Sequence, residues 1–299
     1  MNNNLGYCCI CLSLPDCKVN RGMIRKTFDQ RGLEYCSELF LKNLDDMYKI
    51  LIWNVSQGIY VYRMSSDMLP WMTEYNLEAL PNFDFIYTRL QDIGRYINSR
   101  HIRVGFHPSH FCVLNSDNPT VVEKTIKELS QHAKILDFMG LDQTPYYGIN
   151  IHCNNSKPNK KEAVQRFIAN FQKLPLSVQY RLTIENDDKP SLFTVKDLFE
   201  IHNICKIPIV VDCFHCTLHN NGESVRDSIN LAKPSWMGIK QLIHFSSSKR
   251  IWEDQTAKIT AHADYLFDKI PDFGYPLDIE IEAKAKDLAV LKYKKDYES

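Results

Sequence analysis

The chain has 299 residues, 44% of them hydrophobic, which is enough to bury a large core. Lysine plus arginine and aspartate plus glutamate both total 36, which excludes a global basic field for nucleic acid and leaves any such partner dependent on a local patch. No apolar run approaches the ~20 residues that cross a bilayer, and MNNNL opens no apolar leader.

Residues 5–12 (LGYCCICL) predict a first strand, and 31–55, where Tyr35, Leu39, Leu44, Met47 and Leu51 recur at helical spacing, predict a helix. A second strand over 59–64 ends in Ser65, Ser66 and Asp67. A Pro-marked loop leads to a helix over 85–97, and a third strand, 102–106, ends in His107 and Pro108. Asn118-Pro119 signals the start of a helix over 121–138. A fourth strand, 147–151, ends in His152 and Cys153, and a helix over 160–173 follows. The fifth strand, 180–184, runs into Glu185, Asn186, Asp187 and Asp188, and a helix over 194–205 comes next. The stretch PIVVDCFHC (208–216) is a buried sixth strand that delivers Asp212 and His215 three residues apart. After a helix over 224–231, the seventh strand, 238–243, ends in His244 and three serines. Residues 260–269 predict a helix, and 277–281 an eighth strand ending near Glu282 and Lys284.

Strands alternating with helices, without a composition break or low-complexity linker, predict one domain over 1–299, a single (β/α)8 TIM barrel, with a doubly wound open sheet as the runner-up. In a barrel the strand ends share one face, where function sits. His107, His152, Glu185, Asp212, His215, His244 and Glu282 would converge there. Each alone reads as an ordinary cap or a hydrogen-bonded core residue. Their recurrence, each after an apolar run that makes unpaired charge costly, calls for a shared cation. Oxygen and nitrogen donors without thiolates favour manganese, zinc, iron or cobalt, and so many donors imply two or three ions. Such a cluster suits displacement at phosphorus, although sugar isomerases and epimerases use the same kind of mouth. Cys8, Cys9, Cys112, Cys153 and Cys213 lie in apolar runs and read as reduced thiols of a soluble, intracellular protein, with nucleus or cytoplasm left open.

The segments LGYCC, RMSSD, GFHP, NIH, IENDD, VVDCFHC, IHFSSS, AHADY and IEIEAKAKD, in this order over essentially the whole chain, resemble the ultraviolet damage endonuclease family, whose relatives include endonuclease IV. The resemblance implies a DNA repair endonuclease that nicks the backbone immediately 5′ to pyrimidine dimers, 6-4 photoproducts or abasic sites. It implies two or three divalent ions, manganese first and zinc or cobalt as alternatives. His107, His152, Glu185, Asp212, His215, His244, His262 and Glu282 match family metal ligands, with Glu185, Asp212, His244 and Glu282 carrying catalysis. His262 enters on the resemblance alone. The implied partner is damaged double-stranded DNA, met by a monomer with no membrane association. Tyr7 is the candidate contact near the lesion.

The sequence departs from the family pattern at three places. His110 and Phe111 stand where a Gln-Tyr pair enters the duplex, and two rings there could still wedge and stack. Leu242 stands where a lysine carbamate is frequent, with Lys240 nearby as a substitute, and Cys11 replaces a frequent asparagine. A non-catalytic damage-binding protein therefore stays open as a third reading. For the phosphates, Arg63, Lys157, Lys160, Lys161, Lys249, Arg250, Lys284 and Lys286 lie in strand-end loops, Lys284 and Lys286 foremost.

Overall fold

The computed structural model describes residues 3–298. Eight parallel strands close a barrel in sequence order: β1 Asn4–Cys8, β2 Val61–Met64, β3 Arg103–Phe106, β4 Ile149–His152, β5 Leu182–Glu185, β6 Ile209–Asp212, β7 Leu242–Phe245 and β8 Asp278–Ile281. The helices are α1 Arg25–Ser56, α2 Phe83–Arg100, α3 Pro119–Phe138, α4 Lys160–Phe171, α5 Leu176–Gln179, α6 Val195–Cys205, α7 Cys213–Leu218, α8 Val225–Ala232, α9 Lys249–Trp252 and α10 Lys286–Tyr297. The barrel is the one expected, and it rules out the open sheet.

The helix starts follow side-chain chemistry. Asn118 Oδ1 accepts from Thr120 N at 3.0 Å to open α3, and Thr194 with Asp197 and Ser224 with Asp227 form capping boxes at α6 and α8. Gly94 in α2 packs so closely on Met139 that an added Cβ would lie 1.7 Å from its carbonyl oxygen, which only glycine permits.

Several strands sit one to four residues from their predicted bounds. Cys9, with φ 63°, turns the chain and ends β1 early, and the strand expected over 238–243 begins only at Leu242 because Gly238, with φ 88°, still belongs to a turn. The helix expected over 260–269 is absent. That segment instead forms a strap across the mouth: Lys249 N donates to Ala261 O at 2.8 Å, Ala263 N to Ser247 O at 2.9 Å and Lys284 N to Ala263 O at 3.0 Å. Bonds to the loops after β7 and β8 take the backbone groups that a helix would have used internally.

Alternation along the strands decides which side chains meet inside. Register places His152 beside Glu185, Asp212 beside His244 and His244 beside Glu280. The polar residues of β4 to β8 therefore occupy neighbouring rungs at one end of the barrel. At the opposite end Asp278 is held by Arg103 at 3.0 Å and by Lys240 at 2.7 Å.

Candidate metal centre

Glu185 is the hub of the mouth. Its Oε2 lies 3.0 Å from His107 Nε2 and 3.9 Å from His152 Nε2, and its Oε1 lies 3.1 Å from His244 Nδ1 and 3.7 Å from His215 Nδ1. One buried carboxylate thus turns each oxygen to a different pair of imidazoles. Asn150 Nδ2 donates to Oε2 from below. Glu282, just beyond β8, sets Oε1 3.4 Å from His244 Nδ1. The rings form a chain of neighbours: His107 to His152 at 5.1 Å, His152 to His215 at 5.8 Å and His215 to His262 at 6.3 Å between centroids. All eight sequence-derived ligand candidates line this one mouth.

Asp212 closes β6 and caps α7, its Oδ1 accepting from His215 N at 2.7 Å. Its Oδ2 is buried without a hydrogen-bond partner among the described residues, as is His152 Nδ1. Orphaned polar atoms of this kind are rare and point to a missing ligand.

Burial pushes the Asp212 carboxyl up to about 6 despite the opposing pull of His215. Burial also works against His215, yet Asp212 and Glu185 prevail and hold it at about 9. Glu185 and Glu282 resist their burial and lie well below the usual carboxylate range, the first through His244 and His152, the second through Arg63 and His244.

The donors fit divalent ions. His107 Nδ1 donates to Pro108 O at 3.2 Å, which leaves the Nε2 lone pair facing a carboxylate oxygen of Glu185. Two acceptors that face each other need a proton or a cation between them. Three overlapping groups have ligand atoms all within 4.8 Å of one another: His107, Glu185 and His244; Glu185, Asp212 and His215; Asp212, His244 and Glu282. A fourth, Cys8 with Glu280 and Glu282, lies toward Arg63.

The sequence profile of the UV-endonuclease UvdE family matches residues 3–299. The chain belongs to that family. This UvdE-family chain is 32% identical over 305 aligned residues to the UV DNA damage endonuclease of Bacillus cereus (strain Q1), covering 96% of this chain and 92% of that one. It is 31% identical over 304 residues to that of Bacillus mycoides (strain KBAB4), with the same coverage. The crystal structure of SacUVDE is similar at TM-score 0.86 and 31% identity, covering 99% of this chain and 98% of that one. Endonuclease IV from Thermus thermophilus, at TM-score 0.58, 9% identity and 99% of both chains, shares the fold alone. The same holds for the D-psicose 3-epimerase of Clostridium cellulolyticum H10, at TM-score 0.54, 14% identity, and 80% and 79% of the two chains.

The expected DNA contacts fare unevenly. Phe111, 73% exposed, and His110 project from the loop after β3, their ring centroids 4.1 Å apart. Lys284, Lys157, Lys161 and Arg250 are exposed and Lys286 is half-buried. Lys160 is taken up by Asp197 at 2.6 Å, and Lys249 by Asp264 and Glu253 at 3.4 and 3.7 Å. Tyr7 does not reach the mouth: strand alternation turns it outward, where it is fully buried and donates to Asn54 Oδ1 at 2.8 Å. Arg63 is not a free phosphate contact either. It points into the barrel, 2.6 Å from Glu280 and paired with Glu282. Lys240 is held by Asp278 at the far end and cannot stand in for a lysine at Leu242. Leu242 lines a cavity of about 20 Å³ with Arg63, His244 and Glu280.

Sequence reasoning missed Glu280. Its signal was parity: Glu280 and Glu282 are two residues apart and therefore share a face. No helix among the described residues is long and apolar enough to cross a membrane.

Proposed function

We propose that this chain is a repair endonuclease that nicks duplex DNA immediately 5′ to pyrimidine dimers and 6-4 photoproducts, with abasic sites as further substrates. The observation that carries the reading is the set of buried carboxylates and imidazoles around Glu185, open to solvent beside exposed aromatic and basic side chains. His107, His152, Glu185, Asp212, His215, His244, His262 and Glu282 would hold two or three divalent ions, manganese foremost. Bound there, such ions would supply a water acidic enough to ionise near neutral pH and charge to offset the departing oxygen.

The chain's own residues then have separable tasks. Glu185 spans the centre and fixes the spacing of its two sides. Asp212, anchored through Oδ1, presents Oδ2 inward. His110 and Phe111 wedge into the duplex and stack in the space left by extruded nucleotides, which cost little to extrude because a lesion is already poorly stacked. Lys284, Lys286 and Arg250 grip phosphates around the mouth. A pocket of about 1090 Å³, lined by Phe214, Ser246, Arg250 and Trp252 and by none of the eight candidate ligands, lies beside the strap.

The test is nicking of a duplex carrying one pyrimidine dimer, by protein stripped with chelator and then reloaded with manganese. Cleavage at the 5′ side of the dimer, restored by metal and absent on the undamaged duplex, is the result expected. Metal-loaded protein that leaves dimer and abasic duplexes whole would overturn the reading.

A further inference from the structure

Three of the five candidate imidazoles share a pattern that His152, whose Nδ1 has no hydrogen-bond partner among the described residues, and His244 do not. A histidine that ligates a metal through one nitrogen needs its other N–H held by a fixed acceptor, which sets the tautomer and the ring plane. His107 Nδ1 meets Pro108 O at 3.2 Å, His215 Nδ1 meets Asn186 O at 3.0 Å and His262 Nδ1 meets Ser246 Oγ at 2.8 Å. His244 lies inside a strand, where the carbonyls are committed to the barrel ladder, and among the described residues it meets no backbone acceptor of this kind. Its Nδ1 faces Glu185 at 3.1 Å and Glu282 at 3.4 Å, while its Nε2 faces Glu280 Oε2 at 3.3 Å.

We propose that Glu280 is the positioning residue for His244: it accepts the Nε2–H and leaves the Nδ1 lone pair aimed at the metals. Two features suit it to this task. Parallel register sets Glu280 directly beside His244, so the contact follows from the ladder and not from a flexible loop. Arg63 also holds the carboxylate, with Nε at 2.7 Å and Nη2 at 2.6 Å from Oε2, and the same Nη2 lies 3.1 Å from His244 Nε2 and 3.4 Å from its Nδ1, so the guanidinium touches both partners. Glu280 is only 5% exposed, and its carboxylate cannot swing out to water. The chain Arg63–Glu280–His244 therefore fixes one ligand of the centre from beneath, as a second layer of residues must where the first is to be held to a fraction of an ångström.

This inference rests on the metal-centre reading, and zinc binding separates the two. Wild type and the variants E280M and E280Q would be titrated with zinc, and histidine-¹⁵N spectra of the loaded proteins would report which ring nitrogen carries metal. Wild type is expected to show His244 bound through Nδ1 with Nε2 protonated. Zinc affinity should fall ~10–100-fold in E280M, with loss of the single tautomer, and be largely kept in E280Q, whose amide oxygen still accepts. Because E280M strands Arg63, the double variant R63M/E280M serves where E280M folds poorly, and the same loss is expected. Binding of His244 through Nε2 would overturn the proposal. So would E280M or the double variant with wild-type affinity and tautomer, or E280Q as impaired as E280M, which would make Glu280 a direct ligand. Wild type that binds no zinc would remove the centre itself.

Discussion

Replacing Arg63 with methionine tests whether this guanidinium is an internal counterion. Its side chain is 12% exposed, and it compensates Glu280, 6% exposed, and Glu282, 17% exposed, on neighbouring rungs. Removing one partner of a buried pair leaves charge without compensation and costs about 3–5 kcal/mol, far more than a surface pair. Both carboxylates lie well below their usual range largely because of Arg63, so the substitution also makes them easier to protonate. Urea unfolding of wild type and R63M in chelator should show that loss with an unchanged denaturant slope. With saturating manganese or zinc the loss should shrink, because cations held by Glu185, Asp212 and Glu282 take over part of the compensation. A loss below about 1 kcal/mol in chelator, or equal losses with and without metal, would refute the reasoning.

Substituting Phe111 with alanine should weaken binding to a dimer-containing duplex by ~1–3 kcal/mol in fluorescence anisotropy while leaving metal content unchanged; unaltered affinity would show that the ring stacks on nothing. Lys284→Ala should flatten the dependence of log affinity on log salt by about one unit, equally on damaged and undamaged duplex. His132, fully buried against Phe106, is held down at about 4 by burial. The folded state therefore binds fewer protons than the unfolded chain, and stability present above pH ~6.5 drains away as pH falls toward 4, by about 3 kcal/mol in all. Urea unfolding should show the gap between wild type and H132Q closing by that amount from pH 7 to pH 4, and a constant gap would contradict the assignment.

The barrel was legible because apolar runs, each ending in a polar group, recurred at βα spacing, and because parallel closure sends all those ends to one face. His107, His152, Glu185 and Asp212 each end or directly follow a strand, and His215 and His244 lie within three residues of a strand's end, so all could be found that way. Arg63 and Glu280 were harder. Both sit within strands, and only closure decides that they face a shared lumen and pair there across β1, which lies between their strands. Tyr7 misled because its strand starts and ends within a few residues, and one position of register decides between mouth and core. The strap over 260–269 was invisible because its hydrogen bonds go to residues distant in sequence, which no local pattern records.

Manganese-soaked crystals measured at the metal's absorption edge probe the centre most directly. Two or three anomalous peaks should lie within about 2.0–2.3 Å of Glu185 oxygens, Asp212 Oδ2, Glu282 and the inward nitrogens of His107, His152, His215, His244 and His262. A map with no peak in the barrel mouth at saturating manganese, or with peaks only on surface acids, would contradict the account.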